Sequence, residues 1–209
     1  MDASPVELRV LGCLIEKQRT TPDTYPLSLN ALRLACNQST NRDPVVEYDE
    51  PTIRDALQRL SSRGWARLAS GPGSRAVKYR HLFDEALGIS DAEIAVLAVL
   101  MLRGPQTIGE LKQRTERLHS FDSLADVDET LNGLAQRELV ARLERRPGQK
   151  EERWAQLLGE ADEQPLPRAP EDRVGALEQR VAELERRLAV LEGVERDGER
   201  EHEPSIRID

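Results

Sequence analysis

The chain has 209 residues, 38% of them hydrophobic and 33% charged, and a formal net charge of -8. This length allows one large domain or two small ones, and an aromatic content of only 3% favours helices over a β-sandwich. The two cysteines exclude a disulfide framework or a cysteine-rich zinc site, and no apolar run reaches the roughly 20 residues of a membrane span. Because no export signal opens the chain, we expect a cytoplasmic protein.

The negative charge is unevenly distributed along the chain. Residues 1–88 hold 12 Lys and Arg against 11 Asp and Glu, residues 89–160 hold 10 against 13, and residues 161–209 hold 8 against 14. The acidic excess therefore lies mainly in the last quarter, and the overall charge does not exclude nucleic-acid binding by the first part of the chain.

An internal repeat organises the first 160 residues. The segment from Ser4 to Lys17 aligns without gaps to the segment from Ser90 to Arg103. Both begin with a capping-box pattern, in which Ser is followed three residues later by Glu. In each copy a Pro-containing turn and a shorter helical pattern follow. The sequence therefore predicts two copies of the same helical unit.

A third helix and a hairpin complete each copy. Ile53, Leu57 and Leu60 form one apolar stripe in a predicted helix from Pro51 to Arg63, and a second such helix is predicted from about Asp126 to Arg137. The matching apolar residues of the second copy are Val127, Leu131 and Leu134. Two strand-like runs around a Pro-Gly turn follow each third helix.

The order helix, turn, helix, helix, hairpin is typical of a winged helix-turn-helix. We therefore predict a mainly α protein with small β-hairpins (α+β), built from two tandem winged helix-turn-helix domains. Winged-helix domain 1 covers residues 1–88 and winged-helix domain 2 covers residues 89–160. A linker rich in Pro and acidic residues is predicted at 161–172.

The last quarter carries a heptad pattern. Its apolar residues alternate in steps of three and four, with Arg at every g position and Glu at every e position, which favours a parallel two-stranded pair. We predict a C-terminal coiled-coil helix at 173–194, a homodimer formed through it, and a disordered acidic tail at 195–209. A single amphipathic helix is the alternative, because three heptads are short. The predicted dimerisation residues are Val174, Leu177, Val181, Leu184, Leu188 and Leu191.

No catalytic arrangement emerges from the sequence. The three histidines His81, His119 and His202 lie in different segments, without a second ligand at metal spacing. Cys13 and Cys36 lie in helical patterns where a buried small hydrophobe is the simpler interpretation. We expect no enzyme, no metal, no cofactor and no membrane partner.

The outward side of the third helix of the first copy is the candidate binding surface. Arg and Gln side chains four residues apart can reach guanine and adenine edges in a major groove, and cations on the hairpin would lie along a phosphate strand. A solvated helix face is the alternative, since it would have a similar composition. The predicted DNA-binding residues here are Thr52, Arg54, Gln58, Arg59, Arg75, Lys78 and Arg80.

The second copy is less suited to DNA. Its third helix carries Asp126, Asp128 and Glu129, which would repel phosphates. Two functions therefore remain open. The first is a dimeric DNA-binding transcriptional regulator that reads DNA through the first copy. The second is a protein-protein adaptor, similar to condensin accessory subunits, which binds a protein partner through winged-helix domain 2 and does not bind DNA sequence-specifically.

The segments Leu11 to Val45 and Val99 to His119 closely resemble the YceH-like family of bacterial proteins. The resemblance covers about residues 4–160. It implies tandem winged helices in a cytoplasmic, dimeric protein, and it implies no catalytic residues. Within the family-like stretch, Arg42 is a further candidate for phosphate binding. The alternative is structural, with Asn41 and Asp43 bonded to nearby backbone.

Overall fold

A computed structural model describes residues 2–69, 77–145 and 151–159. It has a mixed α+β fold, mainly helical with small antiparallel sheets, as predicted. The helices of the described residues are α1 (Pro5–Thr20), α2 (Leu29–Cys36), α3 (Glu50–Ser62), α4 (Phe83–Leu87), α5 (Asp91–Arg103), α6 (Ile108–Thr115) and α7 (Leu124–Gln136). The strands are β1 (Leu27–Ser28), β2 (Ala66–Leu68), β3 (Lys78–His81), β4 (Val140–Leu143) and β5 (Arg153–Gln156).

The predicted helix starts at the two aligned segments are confirmed. At α1 the Ser4 amide donates to Glu7 Oε2 at 2.9 Å and the Glu7 amide donates to Ser4 Oγ at 3.3 Å, so two otherwise unpaired amides are satisfied. The same box occurs at Ser90 in α5 and at Thr107 in α6. A fourth box at Ser123 starts α7 two residues earlier than the apolar stripe predicted.

The two copies also share their strand pairing. In the first copy β3 lies between β1 and β2, and Leu27 pairs with Tyr79. In the second copy β4 pairs with β5, and an isolated bridge joins Gln106 to Trp154, which occupies the position of Tyr79 in the aligned hairpins. The sequence predicted neither β1 nor the Gln106 bridge, which precede the second helix of their respective copies. A pairing of one or two residues is too short to show a periodic pattern.

The first helices of the two copies pack against each other. Residues 7–15 of α1 and 94–102 of α5 are buried without interruption, as expected of helices that are covered on all sides. Gly12 lies so close to α5 that an added Cβ would stand 2.9 Å from Leu102 Cγ. Arg19 near the end of α1 forms an ion pair with Asp91 at the start of α5, so the two helices run antiparallel.

Both copies belong to one compact unit, Met1–Asp162, with one continuous hydrophobic cluster. The division into two domains at residue 88 stays a prediction. The linker, the coiled-coil helix with its six dimerisation residues, and the tail lie outside the described residues. Within the described ranges, no helix is both long and apolar enough to cross a membrane.

Candidate nucleic-acid interface

The helix α3 has one buried and one exposed side. The side chain of Asp49 caps its first turn by accepting from the Thr52 amide at 2.9 Å, and this bond holds the pKa of Asp49 below its ordinary value. Pro51 occupies the first turn, where a missing amide is tolerated. The predicted apolar stripe is confirmed, because Ile53, Leu57 and Leu60 are buried together with Ala56.

The opposite side of α3 carries the predicted DNA-binding residues. Arg54, Gln58 and Arg59 are exposed, and Thr52 is half-buried. The side chains of Arg54, Gln58 and Arg59 make no hydrogen bond or ion pair with another described residue. Two cations and one amide on this side of α3 are therefore available to an external partner.

The hairpin of β2 and β3 presents a cationic face on which the predicted residue Arg80 is joined by Arg67. Arg67 pairs directly with Arg80 across the strands. Arg67 is exposed and has no bonding partner within the described parts of the chain. Like charges at directly opposed positions destabilise a hairpin, so a nearby polyanion would relieve their repulsion. Strand alternation after the buried Ala66 could have identified Arg67.

The other predicted hairpin residues differ in their surroundings. Arg80 donates to Glu85 Oε1 at 2.7 Å, so its charge is partly neutralised. Lys78 is half-buried and starts β3. Arg75 lies outside the described residues. Leu68, the last residue of β2, points to the other face of the hairpin from Arg67. Leu68 is 60% exposed, so this end of that face is apolar.

The prediction that Arg42 binds phosphate is wrong. Its side chain is only 6% exposed, and its guanidinium donates to Glu16 Oε2 at 2.6 Å and to the Ala35 carbonyl at 3.1 Å. The structural alternative for Asn41 needs correction too, because its side chain accepts a hydrogen bond from Arg103 of α5. Buried charges require such pairing, so Arg42 serves the fold and presents no cation to a ligand.

His81 lies at the base of the hairpin and is almost fully buried. Burial lowers its pKa to about 4, although the nearby Asp84 carboxylate acts in the opposite direction. Its Nε2 lies 2.6 Å from Gln18 Oε1, which is consistent with a neutral ring that donates from Nε2. His81 is therefore a neutral residue of the core.

Two cations of the second hairpin, Arg142 and Arg153, are held within the molecule, whereas Arg145 is exposed. Arg142 donates to Glu152 Oε2 at 3.1 Å and stacks over the Trp154 ring at 5.0 Å. Arg153 donates to the Pro105 carbonyl at 3.0 Å. The exposed side of α7 is acidic and includes Glu129. Among the described residues, α7 therefore offers no cationic surface equivalent to that of α3.

A cavity of about 620 Å³ lies beside α7. It is lined by His119, Phe121 and four carboxylates, of which Glu93 and Asp126 already cap helices. Among the residues that the structure describes, no group of three or more His, Cys, Asp or Glu could hold a metal ion.

The fold and surface define a class of protein: a mixed α+β chain with an internal structural repeat, in which the third helix exposes Arg54 and Arg59 in one copy and Glu129 in the other. The chain belongs to the family described as "Protein of unknown function, DUF480", whose model matches residues 3–149. The predicted resemblance to a YceH-like bacterial family is thereby confirmed at the level of the family.

Relatives occur in several bacteria. The UPF0502 protein of Solibacter usitatus is 51% identical over 181 residues, which cover 82% of this chain and 87% of the relative. The UPF0502 protein of Serratia proteamaculans is 48% identical over 179 residues, covering 82% and 84%. The UPF0502 protein of Citrifermentans bemidjiense is 54% identical over 159 residues, covering 75% and 74%.

Proposed function

We propose that the protein is a dimeric DNA-binding transcriptional regulator built from tandem winged helices. In this proposal α3 of the first copy enters a major groove and the hairpin of β2 and β3 follows the adjacent phosphate strand. The helix order and the β1-β3-β2 sheet support the winged-helix assignment. The role is one of binding, without enzymatic activity or cofactor, and its site of action is the cytoplasm.

The observation that carries the proposal is the contrast among the arginines. Arg9, Arg42, Arg63 and several others are held by carboxylates or backbone carbonyls. Arg54, Arg59 and Arg67, in contrast, are exposed without a partner among the described residues. Protein cations that neutralise DNA phosphates release the counterions bound there, which favours binding. Unpaired cations grouped on one helix face and one adjoining strand suit this role.

Arg54 and Gln58 would supply base readout, because their side chains match the donor and acceptor patterns of guanine and adenine. Arg67, Lys78 and Arg80 would contact phosphates. A parallel coiled coil at 173–194 would place two first copies at half-sites about one helical turn apart, or a multiple of one.

Fluorescence anisotropy of the full chain with genomic fragments across a salt series tests the proposal. We expect binding at low salt, with the logarithm of the affinity falling linearly as the logarithm of the salt concentration rises. Arg54→Ala should relax sequence preference, and Lys78→Glu should weaken binding to all sequences alike. Absence of binding at low salt, or binding without a salt dependence, would contradict it.

Light scattering tests the dimer. We expect the full chain to be a dimer and a chain ending at Glu160 to be a monomer. If the full chain is a monomer, the coiled-coil pairing is wrong, whatever the result with DNA.

A protein-protein adaptor is the second candidate, and the surface of α7 favours it. Leu124 is 53% exposed at the start of this helix, and Glu129 adds an exposed carboxylate. An apolar side chain with acidic neighbours suits a basic, amphipathic protein segment better than DNA. The adaptor would retain a stoichiometric protein partner after nuclease digestion, whereas the regulator would lose its partners.

A further inference from the structure

A group of buried polar side chains lies beneath the connection between α2 and α3, residues 37–49. Cys13 of α1 and Cys36 at the end of α2 are both completely buried, and the two helices are in contact. Arg9 and Arg42 are 4% and 6% exposed beside them. Two thiols and two guanidinium groups therefore share one water-poor region.

The two arginines hold the connection through its backbone. Arg9 donates to the Cys36 carbonyl at 3.2 Å and to the Pro44 carbonyl at 2.7 Å, and Arg42 donates to the Ala35 carbonyl at 3.1 Å. Helix-final carbonyls have no partner within the helix, so the guanidinium groups satisfy the end of α2. Loss of the anion that balances either guanidinium would therefore weaken the hydrogen bonds that hold the connection.

Carboxylates do not balance the positive charge of this group. Glu16 is engaged by Arg42 and also lies 3.6 Å from Lys17 Nζ. Arg9 forms no ion pair with a described carboxylate, and its buried Nε has no hydrogen-bond partner. The nearby charged group on α5 is Arg103, which adds positive charge. A buried cation without a counter-ion is costly, so a further anion is needed.

The thiol pair can supply that anion. Burial alone raises the pKa of the Cys13 thiol, but the adjacent Cys36 thiol and the guanidinium groups of Arg42 and Arg9 together lower it below its ordinary value. The pKa of Cys36 lies well above its ordinary value, because Cys13 is adjacent and the site is buried. Of the two thiols, Cys13 is therefore the one that loses its proton more easily.

We propose that Cys13 and Cys36 form a peroxide-sensitive dithiol that closes to a disulfide and thereby loosens the connection at 37–49. This property goes beyond DNA binding and does not depend on it. The chain has two cysteines, so an intramolecular disulfide has one possible pairing.

The reaction is balanced with hydrogen peroxide as the oxidant. The Cys13 thiol releases a proton, its thiolate attacks one peroxide oxygen, the O–O bond breaks, and the leaving hydroxide combines with the released proton to form water. The Cys36 sulfur then attacks the sulfenic sulfur of Cys13. The S–S bond forms, the S–O bond breaks, and the hydroxyl leaves with the Cys36 proton as water. Two electrons pass from the two sulfur atoms to the peroxide.

Oxidation would act on the connection through charge. The disulfide is neutral, so Arg9 and Arg42 would be left with Glu16 as their buried anion. A buried guanidinium without a counter-ion has a lower free energy in contact with water. Arg9 would therefore shift toward water, and its bonds to the carbonyls of Cys36 and Pro44 would weaken. Because both thiols are buried, we expect oxidation to be slow and to require transient opening of the connection.

The full reduced chain treated with hydrogen peroxide tests the proposal. We expect both thiols to disappear, the intact mass to fall by two hydrogen atoms, and the protein to remain uncrosslinked on a non-reducing gel. Amide hydrogen exchange in residues 37–49 should become several-fold faster after oxidation and return on reduction, whereas α7 should stay unchanged.

Single variants separate the two sulfur atoms. Cys36→Ala should still react with peroxide, ending at sulfenic or higher acids of Cys13, whereas Cys13→Ala should leave the Cys36 thiol intact. Retention of both wild-type thiols, crosslinked dimers as the main product, or unchanged exchange at 37–49 in a fully oxidised chain would each overturn the proposal. None of these results depends on DNA binding.

Discussion

The two copies of the repeat share a framework and differ in what surrounds it. In both, a capping-box Glu of the first helix pairs with an Arg at the end of the third: Arg63 with Glu7 at 3.3 Å, and Arg137 with Glu93 at 3.4 Å. Arg54 of α3, however, corresponds to Asp128 of α7 in the alignment of the third helices. A common scaffold therefore carries surfaces of opposite charge, so the fold alone does not define the function.

The interiors differ as well. Arg9, Cys13 and Glu16 of α1 correspond to Ala95, Val99 and Leu102 of α5, all of which are buried. The polar group of the first copy accompanies a long connection of residues 37–49, whereas the second copy joins α6 to α7 through residues 116–123. Two buried arginines hold carbonyls at the long connection, whereas at the short one the half-buried Lys112 donates to the Phe121 carbonyl.

Replacing the buried cation of the first copy should have the largest effect. Arg42→Ala leaves Glu16 and two carbonyls without their donor, and we expect the free energy of unfolding to fall by about 3–5 kcal/mol. Arg117→Ala in the second copy removes an exposed cation that has no partner among the described residues, and it should change the free energy of unfolding by less than about 0.5 kcal/mol. Urea unfolding of the full chain measures both, and equal effects would show that Arg42 does not hold the connection.

The pH dependence of the free energy of unfolding should distinguish the first hairpin, which has His81 at its base, from the second, which has Gln156 at the matching position. The folded pKa of His81 is about 4, below its ordinary 6.5, so the unfolded chain binds more protons between these values. The His81 contribution to stability is therefore present above pH 6.5 and is lost as pH falls toward 4, by about 3 kcal/mol. His81→Gln introduces the residue found at the matching position, Gln156, and should remove this part of the pH profile. An unchanged profile would contradict the assignment.

The seam between the two copies can be tested at Gly12, whose counterpart in α5 is Ala98. Gly12→Val would force a side chain into Leu102, and we expect a loss of about 2–3 kcal/mol. Gly133→Ala meets no atom within 4 Å and should stabilise α7 by about 1 kcal/mol. Thermal unfolding should therefore shift in opposite directions, and a stable Gly12→Val variant would refute the close packing of α1 and α5.

Exchanging the surface charge should have the smallest effect on free energy. Arg54→Asp gives α3 the residue of α7, and we expect DNA affinity to fall by about 2 kcal/mol, roughly 30-fold. Asp128→Arg makes the opposite change in the second copy and should leave specific binding within about threefold, because Arg142 and Arg153 of that hairpin remain paired and Glu129 stays exposed beside the new cation. If Arg54→Asp and Asp128→Arg changed the DNA affinity by equal amounts, the two copies would not differ in their part in DNA binding.

Several elements could be predicted from the sequence because their causes are local. A capping box joins residues three positions apart, and the stripe of Ile53, Leu57 and Leu60 follows from the helical period. The exposed side of α3 followed from that stripe. The sequence did not identify β1 or the Gln106 bridge, because each depends on pairing with a distant strand.

The sequence by itself determined the repeat, the helix starts and the inward and outward sides of α3, since these depend on spacing along one helix. The tertiary structure alone decided that Arg42 is buried and that Cys36 of α2 lies beside Arg9 of α1. An arginine in a connection looks the same in sequence whether it faces water or a carboxylate. Only the packing of α1, α2 and α5 surrounds Arg42 with Glu16 and backbone carbonyls, and the resulting loss of water turns a candidate ligand-binding cation into part of the core.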